Sequence, residues 1–120
     1  MSSTVEATVI EALQEALGVP VYGATPEKHD DAFVTVEALG GSYGLFRRAR
    51  TFTVSCWAES FEDAAELAAE CDGVLLALAF SDTYPTVCDV SMDSGSETRD
   101  IDPDTGQARY STRVEVTEST

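Results

Sequence analysis

Lysine is nearly missing from this chain: Lys28 stands beside six arginines and against twenty-two acidic residues, for a net charge of −15. Such a chain repels phosphate backbones, which excludes a direct reader of nucleic acid. Paired cysteines are missing too. Cys56, Cys71 and Cys88 form no C-x-x-C motif, and the single histidine, His29, is far from all three. Zinc centres need such closely spaced ligands, so no metal is expected; each cysteine falls in an apolar pattern and reads as a reduced, buried thiol of a cytoplasmic protein. The longest apolar run, residues 74–80, has seven members. A membrane helix needs about 20, so no bilayer span is expected. The first residues lack a basic stretch followed by an apolar block, so a secretory signal is not expected either.

What is present is a core. Hydrophobic residues make up 43% of 120 residues, which suits one folded domain over 1–120 and is too many for a disordered acidic chain. Val5, Val9, Ala12, Leu13, Ala16 and Leu17 recur at helical spacing, and Gly18 and Pro20 end that helix. Residues 19–22 are a short extended piece, 24–31 a polar loop and 33–38 a β-branched strand. Residues 40–48 carry three glycines and read as a long irregular connection. In residues 50–59, Phe52, Val54, Cys56 and Ala58 alternate with Thr51, Thr53, Ser55 and Trp57, giving a third strand.

Ser60 caps a second helix, with Glu62 and Asp63 favouring its N-terminal dipole. Its apolar face reads as Phe61, Ala64, Ala65, Ala68, Cys71, Leu75 and Leu78, with an end or bend at Gly73. Strands are expected at 86–92 and 107–118, separated by an acidic Ser/Gly-rich segment at 93–106. The expected class is α+β: a mostly antiparallel sheet of about four to five strands with two helices packed on one face.

Chemical motifs are weak. Asp100-Ile101-Asp102-Pro103-Asp104-Thr105-Gly106 hints at a calcium loop. The glycine and glutamate an EF-hand needs at positions six and twelve are replaced by Thr105 and Ser111, so a turn is the better reading. His29 has no nucleophile motif to serve, and Gly40-Gly41-Ser42-Tyr43-Gly44 lacks the lysine and helix of a phosphate loop. No catalytic residue, metal or cofactor is expected. The local anomaly is Arg47, Arg48 and Arg50, three of seven basic residues, beside Tyr43, Leu45 and Phe46. Two readings stand: a charged strand end that compensates nearby acids of the same subunit, or, since arginine with aromatic and aliphatic anchors is the composition of an interface, an arm that docks on the acidic flank of a neighbouring copy.

The helix leading into Leu17-Gly18-Val19-Pro20-Val21-Tyr22-Gly23, the strand Phe33-Val34-Thr35-Val36, the phrase from Phe52 to Ser60 before an Ala-rich helix, and the turn Asp102–Gly106 ahead of Arg109-Tyr110 together resemble the tail terminator, or tail completion, proteins of long-tailed phages. The resemblance implies a non-enzymatic virion protein, assembled in the host cytoplasm. It implies a hexameric ring of identical copies at the head-proximal end of the tail. The ring would cap the tail tube protein, join it to a neck or connector protein, and let DNA pass without specific binding. Mapped onto this chain, residues 40–50, with Tyr43, Leu45, Phe46, Arg47, Arg48 and Arg50, become the intersubunit arm. Residues 93–106 become the docking-face or lumen loop, with Asp93, Glu97, Asp100, Asp102 and Asp104 as its acids. The rival readings are a head–tail adaptor or tail tube subunit, an acidic DNA-mimic inhibitor, and a small-ligand enzyme.

Overall fold

A computed structural model describes residues 4–119, including all side chains in that range except those of Thr4, Tyr43 and 94–97. The side chains of Tyr43 and Glu97, two of the expected contact residues, therefore lie outside the described part. The elements run α1 (Thr4–Ala16), β1 (Val21–Tyr22), β2 (Phe33–Tyr43), β3 (Arg47–Ala58), α2 (Phe61–Ala77) with a 3-10 turn at Leu78–Phe80, β4 (Val87–Ile101) and β5 (Ala108–Ser119). The five strands form one sheet in the order β1-β2-β3-β5-β4. The β1–β2 pair is parallel and the other three are antiparallel. The expected fold class is therefore the observed one.

The strand alternation assigns the two faces. Val34, Val36, Phe52, Val54, Cys56, Val114 and Val116 share one face and form the core with Val5, Val9 and Leu13 of α1 and Ala68, Cys71 and Leu75 of α2. The α2 stripe departs slightly from the sequence reading. Leu67 is buried in it, while Phe61 and Ala65 are exposed. On α1, Ala16 is exposed rather than part of the core. Ser60 does cap α2, accepting from the Asp63 amide at 3.1 Å. Gly73 neither ends nor interrupts the helix, because its packed neighbours on the core face hold the backbone helical through Ala77.

Two segments read as irregular are strand instead. β2 continues to Tyr43 and β3 begins at Arg47, so the glycine-rich segment is a long hairpin turning at residues 44–46. Glycine is what permits the pairing: a Cβ on Gly41 would stand 2.0 Å from the Ala49 carbonyl oxygen. The hairpin helps to stretch the molecule to 45 Å along its longest axis. Likewise β4 runs through Ile101, with register shifts at 87–89 and 93–98, leaving only 102–106 as a turn. Asp93, Glu97 and Asp100 are thus strand residues and not loop residues.

The first register shift explains a second correction. Val87 pairs with Glu118 and Asp89 with Thr117, so Cys88 is the extra residue of a bulge and is exposed. Cys56 and Cys71 are buried free thiols with sulfurs 3.6 Å apart. The hydrogen bond with Cys71, then burial, push the Cys56 thiol above its ordinary value, so it stays protonated.

Candidate interaction surfaces

Register puts the two expected contact regions at opposite ends of the sheet. At one end Arg47 pairs with Ser119 and the hairpin tip extends past it; at the other Ala58 pairs with Ala108, beside the 102–106 turn. Leu45 and Phe46 occupy the tip and are 84% and 73% exposed. Gly44 closes the tip by donating its amide to the Arg47 carbonyl at 2.7 Å.

The three arginines do not form one patch. Alternation along β3 puts Arg48 and Arg50 on the helix side of the sheet and Arg47 on the other. Arg48 turns inward, its guanidinium donating to Glu118 Oε1 at 2.7 Å. Glu118 is only 3% exposed and also accepts from Thr86 Oγ1 at 3.1 Å. Arg48 therefore neutralises a buried carboxylate within its own subunit, while Arg47 is exposed. Local pattern does not separate Arg48 from Arg47 in this way, because Glu118 lies seventy residues away.

At the opposite end the acids are tied to neighbours. Arg109 makes a two-pronged contact with Asp100, its Nε donating at 2.8 Å. Thr105 Oγ1 donates to Asp102 at 2.7 Å, and Asp102 closes the turn by accepting from the Gly106 amide at 2.8 Å. Gly106 adopts φ +75°, a left-handed conformation natural to glycine. Asp93 faces across to Arg113 and Asp104 is exposed at the turn.

This end also holds a cluster that sequence reasoning set aside. Gln107 donates its side-chain amide to the carbonyls of Asp30 and Asp31 at 2.8 and 3.2 Å. Its oxygen must then accept, so His29 Nδ1 is the donor across the 2.7 Å contact. The His29 ring stands edge-on to Phe33 and Trp57, which stack at 5.2 Å, and Arg109 lies over Trp57 at 5.0 Å. Trp57 does face away from the helices, as its alternation predicts, yet only 3% of it is exposed. The polar loop ahead of β2 supplies His29 and the Gln107-bonded carbonyls beside it. His29 is a clamp between that loop and the acidic turn, with Asp102 at 3.8 Å. Among the described residues, no group of three or more His, Cys, Asp or Glu side chains is arranged to hold a metal ion. No described helix is long and apolar enough to cross a membrane.

The turn carries a pH dependence. The hydrogen bond from Arg109 holds Asp100 below its usual carboxylate value, and that from Thr105 does the same for Asp102. A lowered folded pKa gives a contribution that is complete above the unfolded value and lost as pH falls through the folded one. The turn is accordingly expected to loosen in acid, below about pH 4. Side-chain carboxyl shifts followed by NMR should show Asp102 titrating low, and Thr105→Val should move it back up. An unchanged Asp102 midpoint in that variant would refute the assignment.

No protein-family model matches this sequence, and no curated protein matches it. Solved structures do share the fold. One is a chain from the virion of a native gene transfer agent particle, similar over 98% of this chain and 100% of its own, with a TM-score of 0.66 and 13% sequence identity. Both chains thus share one fold from end to end, with no large part of either left over.

Proposed function

We propose that this chain is a structural component of a phage-like particle: a non-enzymatic subunit that closes into a hexameric ring at the head-proximal end of a tail. There it caps the tail tube and joins it to the neck or connector. The observation that carries this reading is the fold shared over the full length with a chain of a gene transfer agent virion. The exposed apolar tip at Leu45 and Phe46, set next to Arg47, supplies an intersubunit anchor on an otherwise acidic molecule. Tyr43, Arg48 and Arg50 flank that anchor; Arg48 contributes by holding the base of the hairpin through Glu118. The acids at 93, 97, 100, 102 and 104, which run from mid-sheet to its other end, belong in this reading to the docking face or lumen, where negative charge keeps passing DNA from sticking.

Purified protein is expected to form closed rings, seen by native mass spectrometry and particle imaging. Arg47→Ser, at an exposed position, should leave the fold intact and weaken ring formation by about two- to tenfold, the range of a rim charge at an interface. Long tubes in the micrographs would replace the terminator reading with a tube subunit. A monomer that binds a nuclease tightly would replace it with a DNA mimic.

A further inference from the structure

The ends of the two helices form a surface that nothing among the described residues of the same subunit fills. The last turns of α1 and α2 converge on an open groove of about 330 Å³, lined by Ala12, Ala16, Val74, Ala77, Leu78 and Tyr84. Glu15 lies at the groove and accepts from the Tyr84 hydroxyl at 3.5 Å. Partial burial, then the charges of Glu11 and Glu15, hold the Tyr84 phenol above its ordinary value, so both carboxylates bear on this site.

The helix ends reinforce that charge. A helix C-terminus carries roughly half a negative charge, normally offset by lysine or arginine in the last turn. Neither α1 nor α2 has a basic residue there. Two negative helix poles and the Glu15 carboxylate thus border an apolar slot. The complementary ligand is an apolar side chain with a guanidinium immediately beside it. Such a sequence occurs in this chain, exposed, at the hairpin tip: Leu45-Phe46-Arg47.

We propose that the hairpin tip of one copy seats in the α1–α2 groove of the next, with Phe46 in the slot and Arg47 facing Glu15 and the helix ends. The contact joins two different surfaces, so it propagates head to tail and closes when the rotation per copy allows. Burying an aromatic side chain removes some 150–250 Å² from water, which makes Phe46 the natural anchor. This inference rests on the ring reading and names the surface that receives the tip.

Disulfide trapping tests it in a Cys88→Ser background, which removes the exposed native thiol. Leu45→Cys, which keeps Phe46 and Arg47, is made in one chain and Ala77→Cys in a second chain of distinguishable mass; the two are mixed and oxidised with diamide. The two new thiols lose their protons and electrons to diamide, which is reduced to the hydrazine, and an S–S bond forms between chains. The mixed dimer is expected to exceed either homodimer by at least about tenfold, because seating in the groove raises the local concentration of one thiol around the other. Ala77→Arg, which sets a like charge against Arg47, should prevent ring assembly while leaving circular dichroism unchanged. Rings in the parent protein without the mixed dimer would overturn the groove assignment and leave the ring reading standing. A parent protein that stays monomeric at high concentration would overturn the ring reading, and the groove contact with it.

Discussion

Phe52→Ala is expected to lower the free energy of unfolding by about 3–5 kcal/mol, a large share of the roughly 5–15 kcal/mol that holds a domain of this size together. Phe52 lies within β3, paired with Ala38 on one side and Val114 on the other, and none of its surface is exposed. Its ring belongs to the cluster in which α1, α2 and the sheet meet. Truncation removes its transfer free energy and leaves a void that strands on both sides, fixed by their own ladders, cannot close. Urea denaturation should show the midpoint falling with little change in slope. A loss below about 1 kcal/mol would mean that the strands can shift to fill the space, contrary to this packing.

The second large effect concerns Glu118. Arg48→Ala should destabilise the fold by about 2–4 kcal/mol, somewhat under the usual penalty for orphaning a buried charge because water reaches the Arg48 side of the pair. The side chains are 28% and 3% exposed, so the cost falls on Glu118. Replacing both, with Arg48→Met and Glu118→Leu, should be close to neutral, since an apolar pair needs no compensation. The contrast between single and double variants identifies the pair as a matched unit. Equal losses in both would show that Arg48 acts by packing alone. Either result bears on assembly experiments: an arginine-to-serine change at 48 reports on folding as well as on contacts between copies, whereas Arg47 is exposed and lies on the other face of β3.

Much of the fold was legible in local patterns. The spacing of Val5, Val9, Ala12 and Leu13 marks α1, Ser60 marks the start of α2, and the alternation from Phe52 to Ala58 marks a strand with one core face. These signals survive because each depends on neighbours within a turn or a pleat. The glycine-rich segment misled for the same reason. Its composition disfavours a strand locally, yet β3 lies opposite and Gly41 allows the Ala49 carbonyl to approach. Cys88 misled because its apolar neighbours hide a bulge that only the pairing with β5 creates.

The interaction surfaces were legible by halves. Sequence alone determined the charge imbalance, the helix and strand order, and the clustering of Leu45, Phe46 and Arg47 at one site, because all of these follow from composition and short-range periodicity. Tertiary structure alone decided that the cluster is a hairpin tip, and that Arg48 is committed to Glu118 while Arg47 is exposed. It also decided that His29 clamps the acidic turn through Gln107, and that two helix ends without basic residues converge on an apolar groove. Each of these joins residues far apart in the chain. A sequence pattern records which face a residue presents, but only the pairing and packing of whole elements fixes what that face meets.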